Sequence, residues 1–293
     1  MQKRRGDLTV VIPVFNRRDE LKRCLDSIEC QTVQPSRVII VDDGSTDGSS
    51  EVARMHPIGA DVVEKNHEGA TVARNTGLEK VETSWTMFFD SDDLMSPDHI
   101  ETAMTAATPD ADIVGWDVER IDSSGKRSVK PFEPRDIGWH NIMHGTMATQ
   151  RYMARTSLFR RAGGWRDDIM VWNDVEIGAR MLALSPKVVK VPGVRVTVLH
   201  SVKSITGMRW LDNKDIYPAT FAALASTLGE KHGDWLALKK AILAADIGRE
   251  DREEGRRMYA EIEGKTAAVR FAYYYRLTGL RGAARLLRPF FSR

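Results

Sequence analysis

Arg37-Val38-Ile39-Ile40-Val41-Asp42-Asp43-Gly44-Ser45-Thr46-Asp47 and Trp85-Thr86-Met87-Phe88-Phe89-Asp90-Ser91-Asp92-Asp93 each run from apolar, β-branched or aromatic residues straight into aspartate. Both read as buried strands that end in acid. A carboxylate is costly to bury, so acids gathered where strands leave a sheet need cations or hydrogen-bond donors facing them. A nucleotide base and a divalent metal carrying a diphosphate fit that need. In open α/β sheets, ligands collect in the crevice outside the carboxyl ends of the strands, where these acids fall.

The surrounding sequence supplies the rest of such a sheet. Thr9 to Phe15 reads as a first strand, and Leu21, Cys24, Leu25 and Ile28 then recur on one helical face. Strand two is Arg37 to Val41, helix two about 49–55, strand three Asp61 to Glu64, helix three about 71–80 and strand four Trp85 to Phe89. Ser96-Pro97-Asp98 predicts a serine cap, a proline at the first helical position and an acid in the first turn of helix four. Strand five is about Ile113 to Trp116. The alternation predicts an α/β fold, a Rossmann-like, mainly parallel sheet with helices on both faces. After residue 117 the pattern changes to a hairpin around Asp122-Ser123-Ser124-Gly125 and a Trp- and His-containing stretch to about His144. There follow an extended segment from Tyr152 to Phe159, a turn at Ala162-Gly163-Gly164-Trp165, a helix from about Asn173 to Leu184, and two short strands, Lys187–Val191 and Val194–Leu199. From about Asp212 the chain reads as helical. The expected division is a catalytic unit, 1–211, split into a nucleotide half (about 8–117) and an acceptor half (about 118–211), with a helical extension over 212–293.

Composition excludes several classes. The chain has 293 residues, 42% of them apolar, enough for one large core and a smaller appended unit. A formal net charge of +2 gives no case for a nucleic-acid binder. The two cysteines, Cys24 and Cys30, sit six apart in one predicted helix. That spacing suits neither a zinc pair nor a disulfide framework, and both read as buried thiols of a reducing compartment. The basic start, Met1 to Arg5, precedes an apolar run of only Leu8 to Phe15, too short and strand-like for an export signal. No stretch approaches the roughly 20 apolar residues of a spanning helix, so a cytoplasmic or membrane-peripheral protein is expected.

Taken in order, Val11-Ile12-Pro13-Val14-Phe15-Asn16, Val41 to Asp47, Asn66 through Gly69 to Ala73-Arg74-Asn75-Thr76-Gly77-Leu78, Phe89 to Asp93, and Gly163-Gly164-Trp165 leading to Asn173-Asp174 resemble the family 2 glycosyltransferases. The resemblance covers roughly residues 8 to 205 and implies the type A glycosyltransferase fold and inverting sugar transfer. It implies that Pro13, Val14, Phe15, Asn16 and Asp43 hold the nucleotide's base and ribose, uracil by family weight. The plainer alternative makes Asp43-Gly44-Ser45 a β-turn whose side chains satisfy backbone amides. Arg74 is either a solvated helix arginine or, by the resemblance, a group facing the nucleotide. Asp90-Ser91-Asp92 matches the family's DxD motif, implying contacts to the donor and Mg²⁺ or Mn²⁺ bridging its diphosphate. Asp93 extends the cluster and His200 is a further candidate ligand, with Asp92 and Asp93 undecided between them. A hard cation taking one or two carboxylates plus phosphates and waters is physically reasonable there.

Asp174 takes the place of the family's general base. The family usually carries Glu-Asp where this chain has Asn173-Asp174, so one acid is missing. Trp165 and Trp172 read either as sugar platforms or as core. Residues 265–293 contain Lys265 and six arginines, no acid, and interleaved aromatics and leucines. Such a stretch suits an anionic membrane surface, and hence a lipid-linked acceptor, or else a helix packed on the catalytic unit. The expected partners are a nucleotide-diphosphate sugar donor and a glycan or lipid-linked acceptor, in bacterial-type surface-glycan assembly. A sugar nucleotidyltransferase would instead carry a glycine-rich basic loop after strand one, where this chain has Pro13-Val14-Phe15-Asn16. A non-catalytic nucleotide-sugar-binding protein is the other alternative, kept open by Asn173.

Overall fold

The computed structural model describes residues 4–199 and 211–291. The N-terminal half alternates as the sequence predicts: β1 (Arg5–Val14), α1 (Arg18–Glu29), β2 (Gln34–Asp42), α2 (Ser49–Met55), β3 (Asp61–Glu64), α3 (Ala70–Glu79) and β4 (Trp85–Phe88). The strands β3, β2, β1 and β4 pair in parallel in that order. Every one of them therefore points its carboxyl end, and the acids that follow, at the same edge.

Beyond β4 the sheet changes character. A short β5 (Leu94–Met95) and α4 (His99–Ala106) lead to β6 (Ile113–Ile121), which forms the expected hairpin with β7 (Arg127–Lys130). Helix α5 (Ile137–His144) precedes β8 (Tyr152–Arg155), which lies antiparallel between β4 and β6. Helices α6 (Thr156–Arg161) and α7 (Asn173–Ala183) then lead to β9 (Val188–Leu199), parallel to β6 and antiparallel to β5. Parallel pairing thus holds across β1 to β4, whereas β5 and β6 have antiparallel neighbours and β8 joins β4 to β6 antiparallel to both.

Several local expectations change. Tyr152 to Phe159 is extended only to Arg155, because the Thr156 hydroxyl bonds the Thr83 carbonyl and the Thr86 hydroxyl and so fixes the turn into α6. Helix α4 starts at His99 with Asp98, not Ser96, at its N-cap, and the Asp98 carboxylate pairs with Arg195 at 2.6 Å instead of capping. The two short strands after residue 187 are one strand, running through Pro192-Gly193 with register shifts opposite Gly115 and Asp117. Cys24 is buried as expected, but α1 ends at Glu29 and leaves Cys30 exposed at its C-cap.

Residues 211–291 are helical, as predicted: a 3-10 turn (Leu211–Ile216), then α8 (Tyr217–Leu228), α9 (Gly233–Gly248), α10 (Arg252–Ala260), α11 (Ala267–Leu277) and α12 (Ala283–Leu287). Their apolar faces do not close on themselves. They share one core with Trp139, Ile142 and Met143 of α5 and Val171, Val175 and Ala179 at α7. Two further cores cover the two sheet faces. One sets Val10, Ile12 and Ile40 against α1 and α4, and the other sets Val11, Ile39 and Val41 against α3, α6 and α7. The second face is packed tightly: a Cβ on Gly77 of α3 would lie 2.3 Å from Val11 Cγ1. That contact requires glycine and holds α3, with Arg74, close over β1.

Candidate active site

The turns after β1 and β2 are laced together by side chains from the motifs quoted above. Asn16 adopts a left-handed backbone (φ 49°), its N–H donates to Ser45 Oγ at 2.8 Å, and its Oδ1 accepts from the Thr46 N–H at 2.8 Å. Asparagine is among the few residues that tolerate this conformation. Asp42 accepts from the Ser45 N–H and the Ser50 hydroxyl. Asp43, 3% exposed, accepts from the Glu68 and Gly69 N–H groups, both at 2.8 Å, and lies 3.1 Å from His67 Nδ1. Both acids order loops. Asp43 joins the β2 turn to the segment entering α3, and Phe15 stacks on His67 at 4.0 Å over the same junction. Pro13 and Val14 close the β1 edge, with Val14 buried and Phe15 40% exposed.

The second cluster is electrostatically different. Arg74 is 7% exposed, so it is not the solvated arginine that a surface helix would carry. Its Nη2 donates to Asp90 Oδ1 at 3.2 Å and its Nη1 lies 3.5 Å from Asn173 Oδ1. One guanidinium thereby connects α3, the end of β4 and the start of α7. A buried charge is tolerable when paired and hydrogen-bonded, and Asp90 and Asn173 supply this for the two Nη atoms, while Nε is buried without a partner. Ser91 is buried beside it.

Asp92 and Asp93 face different surroundings. Asp92 Oδ2 meets Arg17 Nη1 at 2.5 Å, and its side chain keeps 17% exposure. Burial and then the neighbouring Asp90 push its carboxyl up, while Arg17 offsets part of the rise. Asp93 is 2% exposed and accepts the Leu199 N–H at 3.3 Å. Burial, with Asp90 and Asp92 close by, pushes the Asp93 carboxyl well above its usual range. The three acids therefore crowd one another and favour an added cation. All the donors are carboxylate oxygens, which suits a hard divalent ion, and the accessible Asp92 fits it better than the enclosed Asp93. His200 lies outside the described residues.

The described residues also contain one compact group of potential ligands, Asp26, Glu29 and His56, whose ligand atoms lie within 4.8 Å of one another. It sits toward the far end of α1. There His56 Nδ1 accepts from the Ile58 N–H and Nε2 bonds Asp26, which also pairs with Lys22. These contacts explain the group as a structural tie.

Asp174 stands in the first turn of α7, where the helix dipole favours a carboxylate. It is partly buried, and the Thr149 N–H bonds its carboxyl. Burial raises that carboxyl from 3.8 to about 6, Arg74 pulls it down, and Asp90 pushes it up. The residue before this pair, Trp172, has φ 52°, which costs a bulky side chain about 1–3 kcal/mol. Its ring is flanked by Tyr217 and Phe221 of α8 and by Lys239 of α9. Trp165 is 3% exposed and packs on Phe88 and Phe159 as core, so its ring is not a sugar platform.

Of the other acids near this turn, Asp168 pairs with Arg166 at the surface, Asp167 bonds Asn75, and Glu176 is paired with Arg180. Sequence reasoning did not single out Arg17, Thr149 or Lys239. Arg17 offered a signal, a cation beside a helix N-terminus, where the dipole opposes it unless an anion faces it. Asn75, on the same helix as Arg74, has a structural part. Its amide donates to the Trp165 carbonyl and its Oδ1 accepts the Trp165 N–H, both at 2.8 Å, locking the glycine turn onto α3.

The fold and the site define a type A glycosyltransferase architecture. The family model described as glycosyl transferase family 2 matches residues 9–163, and the chain belongs to that family. Glycosyltransferase GlyA of Streptococcus pneumoniae is 39% identical over 100 residues, 32% of this chain and 14% of that protein. Glycosyltransferase AglE of Haloferax volcanii is 29% identical over 162 residues, 53% of this chain and 52% of that one. The chain thus spans about half the length, or less, of these relatives. Among solved structures, residues 1–349 of S. aureus TarS in complex with UDP superpose with a TM-score of 0.58 at 15% identity, covering 96% of this chain and 91% of that one. The mannosyltransferase PcManGT from Pyrobaculum calidifontis, in complex with GDP-Man and Mn²⁺, superposes with a TM-score of 0.59 at 19% identity, covering 98% and 84%. Likeness at such identities shows the fold. The family match ends before Asn173-Asp174.

A carboxyl raised by folding weakens the folded state once it ionises. The unfolded chain loses this proton from about pH 3.8, the folded one only near 6, so the penalty is absent below 3.8 and complete above 6. Asp174→Asn is therefore expected to stabilise the protein by about 3 kcal/mol at pH 8 and by almost nothing near pH 3.5. Denaturant unfolding at the two pH values measures this, and an unchanged midpoint at pH 8 contradicts an enclosed Asp174 carboxylate.

Proposed function

We propose that the chain transfers a sugar from a nucleotide-diphosphate sugar, a UDP-sugar by family weight, to a hydroxyl of a glycan or lipid-linked acceptor, with inversion at the anomeric carbon. The observation that carries this reading is the triangle of Arg74, Asp90 and Asn173-Asp174. It brings the carboxyl end of β4 to a carboxyl held near neutral pKa. A base with a pKa near the working pH is the effective one, and Asp174 has that property. The ligands named with structural neighbours, UDP, UDP-GlcNAc and GDP-Man, support a nucleotide-sugar without choosing its base.

Each part has a role in this reading. Pro13, Val14, Phe15 and Asn16, with Asp43 ordering the facing loop, hold base and ribose, and Asp90 and Ser91 line the donor beside Arg74. Asp92 is the first metal ligand, with Asp93 behind it shaping the site and His200 a further candidate. A divalent ion held there, Mg²⁺ or Mn²⁺, would supply Lewis-acid stabilisation of the departing diphosphate. Asp174 takes the acceptor hydroxyl's proton as that oxygen bonds the anomeric carbon and the bond to the diphosphate oxygen breaks, its electron pair leaving with the diphosphate. Asn173 keeps the hydrogen bond to Arg74 that a second acid would otherwise make. In this division residues of about 8–117 carry the donor, those of about 118–211 the acceptor, and 212–293 form the extension.

The extension also presents a face of its own. Arg270, Phe271 and Tyr274 on α11, and Leu280, Arg281, Arg285, Leu286 and Phe290 after it, are exposed, while Ala272, Tyr273, Ala284 and Leu287 pack inward. No helix of the described residues is long and apolar enough to cross a membrane. Exposed arginines among exposed aromatics and leucines suit the headgroup region of an anionic bilayer, placing the enzyme at a membrane surface.

Two measurements test these assignments. In a thermal-shift screen against UDP, GDP, dTDP and CMP, one diphosphate with Mn²⁺ is expected to stabilise the protein, by about 2.7 kcal/mol at a hundredfold excess over Kd. Asp92→Ala is expected to abolish the Mn²⁺-dependent part, and a shift that persists unchanged in Asp92→Ala removes Asp92 as a ligand. In flotation with vesicles containing phosphatidylserine, replacing Phe271, Leu286, Phe290, Arg281 and Arg285 together by Ser is expected to leave the protein at the bottom of the gradient. Equal recovery of variant and wild type removes the membrane face.

A further inference from the structure

Asn173 and Asp174 follow a residue in a conformation that its own chemistry disfavours. A tryptophan at φ 52° persists only where its surroundings fix it from several sides, and such positions cluster at functional sites. The surroundings that fix Trp172 come from the C-terminal helices. The Thr220 hydroxyl of α8, fully buried, donates to the Val171 carbonyl at 2.9 Å, immediately before the turn. The Tyr217 and Phe221 rings of the same helix stand 4.8 Å and 5.7 Å from the Trp172 ring. From α9, the Lys239 ammonium lies 4.4 Å from that ring's centroid and donates to the Met143 carbonyl of α5 at 3.2 Å. Helix α5 closes the ring of contacts, with Asn141 donating to the Val175 carbonyl at 2.8 Å.

We propose that Thr220 and Lys239 are positioning residues for Asp174, holding the Val171-Trp172 turn so that the first turn of α7 aims its carboxylate at Arg74 and the donor. The inference rests on Asp174 being the base and extends the site to helices that lie outside the family-model match. It also gives the extension a part in catalysis. Residues 217–239 cannot be removed or loosened without releasing the turn.

Asp174 itself offers a readout independent of any substrate. Its carboxyl is faced by Arg74, Asp90 and the Thr149 N–H, with Tyr152 nearby, and its raised pKa depends on enclosure. Loosening the turn admits water and lowers that pKa. Simply deleting the Lys239 charge would act in the opposite sense, because losing a cation raises a carboxyl's pKa. The direction of the shift therefore separates positioning from charge.

The experiment is a carboxyl ¹³C NMR titration of the full-length protein, with the Asp174 signal assigned by its loss in Asp174→Asn. Wild type and Lys239→Arg are expected to titrate near 6, and Lys239→Met and Thr220→Val at least one pH unit lower, with far-UV spectra unchanged. Transfer turnover in the two lowered variants is expected to fall tenfold or more, with the nucleotide thermal shift retained. An Asp174 titration unmoved in both folded variants, or moved upward in Lys239→Met, overturns the positioning role. Full turnover in Asp174→Asn would instead overturn the base assignment and this inference with it, and the titration would still report whether the turn is held.

Discussion

The site depends on one buried guanidinium. Arg74 could not stay 7% exposed without anionic and hydrogen-bonding partners, and it finds them in Asp90, at the end of a central strand, and Asn173, at the start of α7. Desolvating a charge is costly enough that these groups must converge once α3 is in place. The place of α3 is set in turn by the Gly77–Val11 contact and by Asn75, which grips the glycine turn through Trp165. Packing brings the guanidinium to the sheet's edge, and the guanidinium then brings two halves of the site together.

The aspartates illustrate how environment divides identical side chains among roles. Asp42 and Asp43 each accept two hydrogen bonds from loop N–H or hydroxyl groups and so order the turns around the β2 end. Asp90 is bound to Arg74, Asp92 faces outward to Arg17, and Asp93 is sealed against β9. Asp174 alone combines a raised pKa near 6 with a place at the start of a helix facing the cluster. Carboxyls tuned apart in this way can serve as a metal ligand and a base in one cleft.

Much of this was legible in the sequence because its determinants are local. Alternating apolar runs and helical faces gave the order of β1 to β4 and α1 to α3, with α2, β3, α3 and β4 within a residue, while β1 and β2 begin at Arg5 and Gln34, earlier than their apolar runs, and acids following strands marked the edge. What stayed hidden depends on pairs far apart in the chain. The antiparallel insertion of β8 between β4 and β6 has no periodic signature, and neither does the Arg17–Asp92 pair, 75 residues apart. At the start of α4 the Ser96 hydroxyl donates to Asp98, whose other oxygen pairs with the distant Arg195, so neither side chain caps the helix, and the exposure of Cys30 turned on where α1 ends. Trp172 read equally well as platform or core, because its conformation and its neighbours Tyr217, Phe221 and Lys239 are set by tertiary packing alone.

The most direct test of the donor site is anomalous diffraction from crystals grown with Mn²⁺ and the nucleoside diphosphate that stabilises the protein. The expected result is a manganese peak within about 2.3 Å of an Asp92 oxygen, bridged to the diphosphate beside Arg74 and Asp90. A peak at Asp26, Glu29 and His56 with none at Asp92, or a nucleotide bound away from the carboxyl ends of β1, β2 and β4, would contradict it.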